Sequence, residues 1–541
     1  MQTKNRKIII ICLLLGSLIL SILIKTNRDK ISFIKVSGIE EINNIWKSYR
    51  NQKIGNDTQL MRSLSSYKIL TNPINEGNQV VTDKVNIYSI SNNKVIITNG
   101  DTLDIENEVK YEKENFKPLL LYVTKERLIV IGELDDSTKV YIYDKETLEE
   151  FKKFTIFATY ISSRLIDGEL YLISSNLIEN KKRPKYIENN VEKIVPYGNI
   201  IYVENTYANN YVNLIKTNIN SNKHNLKIKS YLGLGQVIYF TQNYIYLAEE
   251  RYAEEIGSSN KTIIIKINND KLDLSGVKEV TGYVLDKDSL NEYKGNLRIA
   301  TTSQNNDKQK NNNIYILNEK MKTIGKLEGF SVGHEIQAAA FIEDKAYIET
   351  FNILDPFYVI DLKNIKKPKI ISEFKFDGYN TNFIPYDKNN IIAFGLILDN
   401  NKNAYGLKVS IYDVANPNKV RIKAKDTFMY DDYNNAYSEV LYDCKALLLD
   451  RKEKILGFPV IYWINEKQKP TYYKQFYAVY KINDDLTRIG KISHYEVEKA
   501  NDSNDIKRGL IINKDLFTVS DRLIKKNNIE DLSLIKKSYL S

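Results

Sequence analysis

The sequence contains few of the residues that build disulfides and zinc sites. Among 541 residues there are two cysteines and three histidines. Cys12 lies in an apolar amino-terminal run and Cys444 stands alone in the body of the chain, so no internal disulfide is expected. With so few thiols and imidazoles, we predict no metal site and no cofactor.

Concentrated charge is missing as well. Lysine and arginine exceed aspartate and glutamate by 78 to 68, but the basic residues are spread along the whole chain. Nucleic-acid binding requires a basic patch or stripe, so we predict no nucleic-acid partner. The length suffices for several cores or for one large modular fold.

The amino terminus carries one long hydrophobic run. From Ile8 to Ile24 no residue is charged, which is about the minimum length that spans a bilayer. Because no A-x-A-like cleavage site follows, we predict an uncleaved single-pass anchor, with a cleaved signal peptide as the alternative. The predicted divisions are a cytoplasmic tail (1–7), a transmembrane anchor (8–24), a stalk with a short helix (25–65) and an extracytoplasmic domain (66–541).

The stalk contains one helical pattern, "VSGIEEINNIWKSYRNQ". Ser37 and Glu40 fit a capping box at its start. The apolar residues on one helical face are Ile39, Ile42, Ile45, Trp46 and Tyr49. We predict a short helix packed on the following domain, with a membrane-surface helix as the alternative.

From about residue 66 onward the sequence has the pattern of strands. Runs such as "KVNIYSI", "KVYIYD", "KTIIIKI" and "FYVIDL" are rich in Ile, Val and Tyr and are bounded by Asn, Asp, Gly and Lys. No comparably long amphipathic helix interrupts them. This pattern argues against a βαβ enzyme fold and predicts an all-β domain.

A strand–turn–strand unit recurs along this region. It occurs in "KVYIYDKETLEEFKKF", "NIYILNEKMKTIGKL", "FYVIDLKNIKKPKIISEF" and "KVSIYDVANPNKVRIK". At about 45–70 residues and four strands per unit, the spacing is typical of a β-propeller, and we predict about seven blades, with eight as the alternative.

The residue that ends the first strand of each unit is a turn former. Asp144, Asn318, Asp361 and Asp413 occupy this place, and their side chains can bond to nearby backbone groups. We therefore interpret Asp361 as a turn residue. Asp355 and Asp377 in the same stretch do not recur, so their role stays open.

Several stretches together resemble a known family. They include "TYISSRLIDGELYLISSN", "LGLGQVIYFTQNYIYLA", "GLKVSIYDVANPNKV" and "KRGLIINKDLFTVSD". In this order, over roughly residues 115–525, they resemble bacterial membrane-anchored or secreted β-propeller proteins that are distantly related to WD-type repeats. The resemblance implies the propeller and a location outside the cytoplasm.

Two segments depart from the pattern of that family. "TNPINEGNQVV" keeps Glu76 and Gly77 but lacks the acidic cluster expected there, so a cation or partner role implied by the resemblance is in doubt. Asp443-Cys444-Lys445-Ala446 replaces an Asp-His-Lys-Ala sequence. Strand alternation would place Cys444 on an apolar face with Tyr442 and Ala446, which predicts a core thiol, with a metal ligand as the alternative.

Catalytic motifs are weak. "GFSVG" matches the G-x-S-x-G nucleophile elbow, with Ser331 and His334, but that motif requires a strand, a turn, a helix and a further histidine. Only His494 follows, and the next segment corresponds to a strand in the family. We predict no catalytic residue.

Two arginines and two loops are the remaining candidates. Arg164 and Arg298 stand inside strand-like runs, where a buried guanidinium would brace the sheet or bind an anion in the channel. "TYANNYVN" and "YDDYNNAYS" are either solvated turns or surfaces that stack sugars or peptides.

The sequence therefore predicts a non-enzymatic binding or scaffold propeller at the cell membrane. Its expected ligand is an envelope protein, a peptide or a cell-wall polysaccharide. An envelope hydrolase or lyase built on the propeller is the alternative.

Overall fold

The structure is a computed structural model. It describes residues 32–52, 76–111, 115–178, 182–204, 208–223, 226–233, 235, 237–251, 259–304, 309–351, 356–376, 379–399, 404–429, 435–464, 472–483, 485–495 and 504–540. The predicted anchor from Ile8 to Ile24 lies outside these residues. No helix within them is both long enough and apolar enough to cross a membrane, so the predicted transmembrane helix has no counterpart in the described part of the chain.

The described residues form nine sheets, which we number as blades 1 to 9 in chain order. Blade 1 contains β2 (Val80–Thr82), β3 (Asn86–Ser91), β4 (Lys94–Asn99) and β5 (Ile105–Lys110). Blade 2 contains β6 (Phe116–Val123), β7 (Arg127–Leu134), β8 (Ser137–Asp144) and β9 (Glu150–Ile156). Blade 3 contains β10 (Thr159–Ile166), β11 (Glu169–Leu177), β15 (Asn210–Asn218) and β16 (Lys227–Leu232). Blade 4 contains β17 (Val237–Phe240), β18 (Tyr244–Arg251), β19 (Lys261–Asn268) and β20 (Leu274–Thr281). Blade 5 contains β21 (Leu290–Tyr293), β22 (Asn296–Gln304), β23 (Lys310–Leu317) and β24 (Thr323–Phe330). Blade 6 contains β25 (Glu335–Ile342), β26 (Lys345–Phe351), β27 (Pro356–Asp361) and β28 (Lys369–Lys375).

Blades 7 to 9 complete the series. Blade 7 contains β29 (Tyr379–Pro385), β30 (Asn390–Leu398), β31 (Ala404–Asp413) and β32 (Arg421–Phe428). Blade 8 contains β33 (Asn435–Tyr437), β34 (Leu448–Asp450), β35 (Ile455–Ile464), β36 (Tyr472–Ile482) and β37 (Leu486–Ile492). Blade 9 contains β38 (Arg508–Ile512), β39 (Asp515–Val519), β40 (Leu523–Asn528) and β41 (Leu534–Tyr539). Successive strands pair antiparallel, except that β33 and β34 of blade 8 both pair with β35, and the first strand of each blade lies at one edge of its sheet.

The nine sheets close into a ring. A hydrophobic cluster lies between each pair of consecutive blades. A further cluster joins Val80 and Ile96 of blade 1 to Phe517 and Val519 of blade 9. The chain is therefore a closed nine-bladed propeller, and the prediction of seven or eight blades is wrong.

Buried lysines mark the same closure. On blade 3, Lys216 Nζ donates to the carbonyl of Asp270 on blade 4 at 3.2 Å. On blade 9, Lys526 Nζ donates to the carbonyl of Gly100 on blade 1 at 3.2 Å. The junction of the chain's last and first blades thus uses the same contact as an internal junction.

The order of strands within a blade follows from burial. The last strands, such as β5 and β41, are mostly exposed, and the first strands of neighbouring blades contact one another, as β25 and β29 do. The first strand of each blade therefore lines the central channel, and the last strand faces outward.

The turn formers predicted from sequence are confirmed. Asp361 Oδ1 accepts the Lys363 amide at 2.9 Å. The equivalent acceptors in eight of the nine described blades are Asn99, Asp144, Asn218, Asn268, Asn318, Asp361, Asp413 and Asn528. In four blades that were not recognised as repeats, this place is filled by Asn99, Asn218, Asn268 and Asn528.

Two insertions also lengthen the spacing between repeats. In blade 3, the segment between β11 and β15 contains β12 (Lys185–Glu188), β13 (Val191–Ile194), a 3-10 turn (Tyr197–Asn199) and β14 (Ile200–Val203). β12 and β13 extend blade 2, while β14 extends blade 3. In blade 8, β33 and β34 both pair with β35, so the insertion between them interrupts the innermost strand.

The predicted stalk helix is present as α1 (Ile39–Gln52), preceded by β1 (Phe33–Lys35). β1 pairs with β14, and Ile42 and Ile45 are buried between blades 2 and 3. The prediction that the helix packs on the domain is confirmed. Its capping partner is Glu41 rather than Glu40, because the Glu41 carboxylate accepts both the amide and the hydroxyl of Ser37 at 2.9 Å.

Candidate functional site

Residues 438–447, which we call the axial insert, leave the innermost strand of blade 8 where that strand borders the channel. Two capping residues shape the insert. The Ser438 hydroxyl accepts the Val440 amide at 3.3 Å and begins a 3-10 turn (Glu439–Leu441). Asp443 Oδ1 accepts the Lys445 amide at 2.9 Å and begins a second turn (Cys444–Ala446). The insert is therefore compact and locally hydrogen-bonded.

The axial insert is fixed to its neighbours. Ser438 Oγ donates to the carbonyl of Pro459 on β35 at 2.6 Å. Asn382 Nδ2, on the innermost strand of blade 7, donates to the Val440 carbonyl at 2.7 Å. Val440 and Ala446 are fully buried in the cluster between blades 7 and 8.

Cys444 is buried in the same cluster, so the predicted core thiol is confirmed. The reason given from sequence was wrong, since the segment forms 3-10 turns and not a strand. Tyr442, which alternation placed on the same apolar face, is 47% exposed. Within the described residues, no group of three or more His, Cys, Asp or Glu side chains is arranged to hold a metal ion.

Arg508, the first residue of β38, connects blade 9 to the axial insert. Its guanidinium forms an ion pair with Glu439 at 3.1 Å and lies 3.8 Å from the Asp443 carboxylate. It also donates to its neighbouring carbonyl, Lys507 O, at 2.6 Å. The side chain is only 6% exposed, so these carboxylates compensate a buried cation.

The segment that leads into blade 1 completes the connection. Asn78 Oδ1 accepts Arg508 Nε at 2.6 Å, and Asn78 Nδ2 donates to the Lys445 carbonyl at 3.2 Å. The backbone of Asn78 bridges to Leu121 on the innermost strand of blade 2. This short segment thus joins blades 1, 2, 8 and 9.

Arg164, singled out in the sequence, lies on the innermost strand of blade 3 and is paired with Glu76. It also donates to Ser162 Oγ at 3.0 Å and to the Ser163 carbonyl at 2.6 Å. Its bracing role is confirmed. Glu76, in the segment whose cation or partner role was left in doubt, is the carboxylate that compensates it.

Position 77, next to this pair, is a glycine because there is no room for a side chain. A Cβ at this position would lie 2.4 Å from Leu120 and 2.8 Å from Tyr122. The Tyr122 hydroxyl is within 2.7 Å of Ser163 Oγ. Burial raises the pKa of Tyr122 to about 12, so its hydroxyl stays neutral.

We call Glu76, Arg164, Glu439, Asp443, Lys445 and Arg508 the axial charge cluster. It contains three cations and three carboxylates from blades 3, 8 and 9 and from the segment before blade 1. Burial raises the pKa of Glu439, an effect that Arg508 opposes. Burial lowers the pKa of Lys445, and the carboxylates of Asp443 and Glu76 oppose that shift. Both groups are therefore partly shielded from water.

An aromatic pair borders the cluster. Tyr437, at the end of β33, and Tyr442 stack with ring centroids 5.8 Å apart and an interplanar angle of 26°. Burial raises the pKa of Tyr437, and a hydrogen bond with Tyr442 raises it further. Sequence reasoning considered Tyr437 within "YDDYNNAYS" but missed Tyr442, although the capping residues Ser438 and Asp443 on either side were signals against a strand.

Arg298 braces the sheet and does not reach the cluster. It lies on the second strand of blade 5, where Nε donates to Asn291 Oδ1 at 3.0 Å, and another nitrogen donates to the Glu343 carbonyl. Its guanidinium lies over the rings of Tyr293 and Phe341 at 4.6 and 5.0 Å. Burial lowers the pKa of Arg298 to about 10.

The G-x-S-x-G segment lacks the geometry of a nucleophile elbow. Ser331 has a φ of 51°, but it lies between β24 and β25, so a strand follows it and not a helix. Its hydroxyl is within 2.9 Å of Thr350 Oγ1, and His334 Nδ1 is within 3.0 Å of the Val332 carbonyl. The two side chains are not hydrogen-bonded to each other.

His494 is a core residue at the junction of blades 8 and 9. Its ring nitrogens lie within 3.0 Å of Ser520 Oγ and 2.9 Å of Thr518 Oγ1. Burial lowers its pKa to about 3, with a smaller contribution from Lys525. Asp355, Asp377 and His224 lie outside the described residues, as do parts of both Asn- and Tyr-rich loops.

A family model described as a beta propeller domain matches residues 70–532. The chain belongs to this β-propeller domain family. An uncharacterised protein from Methanocaldococcus jannaschii is 34% identical over 295 residues, covering 53% of this chain and 42% of that protein. An uncharacterised protein from Archaeoglobus fulgidus is 33% identical over 210 residues, covering 39% and 31%.

Both of these relatives are archaeal, so the bacterial membership implied by the resemblance stays a prediction. The chain spans less than half the length of either relative. Among solved structures, apo AztD from Citrobacter koseri has a TM-score of 0.35 and 7% identity, covering 84% of this chain and 94% of that one. Hsv2 from Kluyveromyces marxianus has a TM-score of 0.32 and 9% identity, covering 66% and 100%.

Proposed function

We propose that this propeller is a non-catalytic binding module that recognises a component of the cell envelope at the axial insert. The fold itself supports a general binding or scaffold role. The observation that carries the proposal is the combination of a firmly anchored insert with side chains that remain accessible. A location outside the cytoplasm is part of the proposal and rests on the apolar amino-terminal sequence alone.

Anchoring supports the proposal because a binding surface gains affinity when it is ordered before the ligand arrives. Asn382 holds the insert to blade 7, Pro459 holds it to blade 8, and Arg508 holds it to blade 9. Little conformational entropy would therefore be lost when a ligand binds.

Accessibility supports it as well. The side chains of Glu439 and Asp443 are 30% and 24% exposed, and Tyr442 is 47% exposed. Lys445 is half-buried, and its ammonium makes no hydrogen bond or ion pair within the described residues. An aromatic ring, two carboxylates and an ammonium thus lie close together on one short segment.

The test is retention of envelope components by the immobilised full chain. Wild type is compared with Tyr442→Ala/Lys445→Ala in a native envelope extract, and eluates are examined for proteins and glycans. Lys536→Ala/Tyr539→Ala, which changes the same residue types on the exposed strand β41, is the matched control. Unchanged melting temperatures establish that the variants fold.

We expect wild type and the β41 control to retain a component that the axial double variant loses. Equal retention by all three proteins would contradict the proposal. Conversion of the retained component into a smaller product by wild type would also contradict it, because that result would indicate an enzyme.

A further inference from the structure

We infer that Tyr442, together with the carboxylates of Glu439 and Asp443, forms a subsite for a neutral saccharide. This inference rests on the proposed function and specifies its ligand. It follows from three features: an ordered aromatic face on the axial insert, acceptors beside it, and the deep burial of the two arginines of the axial charge cluster.

The aromatic face is provided by Tyr442. The ring is 47% exposed while it stacks on Tyr437 at 5.8 Å, so its orientation is held from one side. A pyranose ring has a flat apolar C–H face, and an exposed tyrosine supplies a rigid apolar surface with a polar edge. Stacking on Tyr442 would therefore bury both surfaces.

Hydrogen-bond acceptors lie next to that face in the chain. Asp443 follows Tyr442 directly, and its Oδ1 is used by the Lys445 amide, whereas its other oxygen lies 3.8 Å from Arg508. The Glu439 carboxylate is held by Arg508 and stays 30% exposed. Carboxylates are strong acceptors for the hydroxyl groups that a sugar presents.

The unequal burial of the charges favours a neutral ligand. The guanidinium side chains of Arg164 and Arg508 are only 7% and 6% exposed, and both are already paired with carboxylates. The carboxylates of Glu439 and Asp443 are 30% and 24% exposed, which is more than either guanidinium. An acidic ligand would meet these two carboxylates and a single half-buried ammonium, that of Lys445, while a hydroxyl-rich ligand would donate to the carboxylates.

The test is binding of the full chain to immobilised short oligosaccharides of glucose, mannose or N-acetylglucosamine, with uronic-acid and phosphorylated oligosaccharides included. Isothermal titration then measures the affinity of the best neutral binder. We expect Tyr442→Ala to weaken binding about tenfold or more and Tyr442→Phe to retain it, because the ring face is kept. Tyr539→Ala, on the outer strand of blade 9, is expected to leave binding unchanged.

Three results would overturn the inference: no binding to any neutral oligosaccharide, a preference for acidic ones, or equal affinity of wild type and Tyr442→Ala. If the full chain retained a protein from the envelope extract in a manner that depended on Tyr442 and Lys445, while no glycan bound, the saccharide subsite would be wrong and the axial binding surface would stand. If the full chain bound no glycan and retained no envelope protein in this manner, the proposed function itself would be overturned.

Discussion

Arg508 Nε donates a hydrogen bond to Asn78 Oδ1 at 2.6 Å although the two residues are 430 positions apart. This contact joins the last blade to the segment that enters the first blade. The same two residues hold the axial insert, through Glu439 and the Lys445 carbonyl. Closure of the ring and order of the proposed binding surface therefore depend on the same hydrogen bonds.

Loss of Arg508 is expected to destabilise the whole propeller. Arg508→Ala removes a buried guanidinium and leaves Asn78 and the partly exposed Glu439 without their partner, and hydrogen bonds to charged groups contribute about 1.5–3 kcal/mol each. The free energy of unfolding from urea titration measures the effect. Arg421→Ala, which removes an ion pair whose arginine is 72% exposed, is the control and should cost about 0–1 kcal/mol. Equal, small losses would show that Arg508 does not join the blades.

Gly77 is expected to tolerate no side chain. Gly77→Ala would place a Cβ 2.4 Å from Leu120 and 2.8 Å from Tyr122, and overpacking of this kind costs about 1–3 kcal/mol. Gly198→Ala, whose Cβ would have no atom within 4 Å, is the matched control. The melting temperatures of both variants measure the effect. A Gly77→Ala protein as stable as Gly198→Ala would disprove the tight packing of Gly77 against Leu120 and Tyr122.

Replacing the lysine at the junction of blades 9 and 1 is expected to lower the free energy of unfolding as much as replacing a lysine at an internal junction. Lys526→Met removes the hydrogen bonds to blade 1, and Lys266→Met removes the bond from blade 4 to the Glu319 carbonyl of blade 5. Hydrogen bonds to charged groups contribute about 1.5–3 kcal/mol each. If urea titration showed a loss for Lys266→Met and none for Lys526→Met, the ring would be open between blades 9 and 1.

Acid is expected to destabilise the protein through His494. Burial lowers the pKa of this histidine to about 3 in the folded protein, below its ordinary value of 6.5. Between these values the unfolded chain binds a proton that the folded chain does not, so stability falls as the pH drops, by at most about 1.4 kcal/mol per pH unit.

The check compares wild type with His494→Gln at pH 7 and pH 5. The variant lacks the hydrogen bonds to Thr518 and Ser520, so it is less stable at pH 7, but it does not share the acid effect. The gap between the two proteins should therefore narrow at pH 5. A constant gap between wild type and His494→Gln would contradict this account.

The β-propeller architecture was predictable from sequence because its signals are local. The strands alternate with turns, and Asp144, Asn318, Asp361 and Asp413 form the predicted backbone contacts. The number of blades was not predictable from those residues alone. The split inner strand of blade 8 and the strands that blade 3 adds to blade 2 alter the spacing without altering the local patterns.

The candidate site was predictable only in part. A buried arginine in a strand, Arg164, needed a compensating group, but its partner Glu76 lies in another element and is brought close by the closure of the ring. Tyr442 was missed because a period of two was applied to a segment that forms 3-10 turns. Non-local pairing and the irregular insert are therefore what sequence reasoning could not resolve.

Hydrogen–deuterium exchange of the full chain, measured with and without saturating ligand recovered from the envelope extract, tests the central claim most directly. The account predicts that ligand slows exchange in peptides covering the axial insert and the start of β38, where Arg508 holds it. Protection confined to the outer strands, with unchanged exchange in residues 438–447, would contradict it.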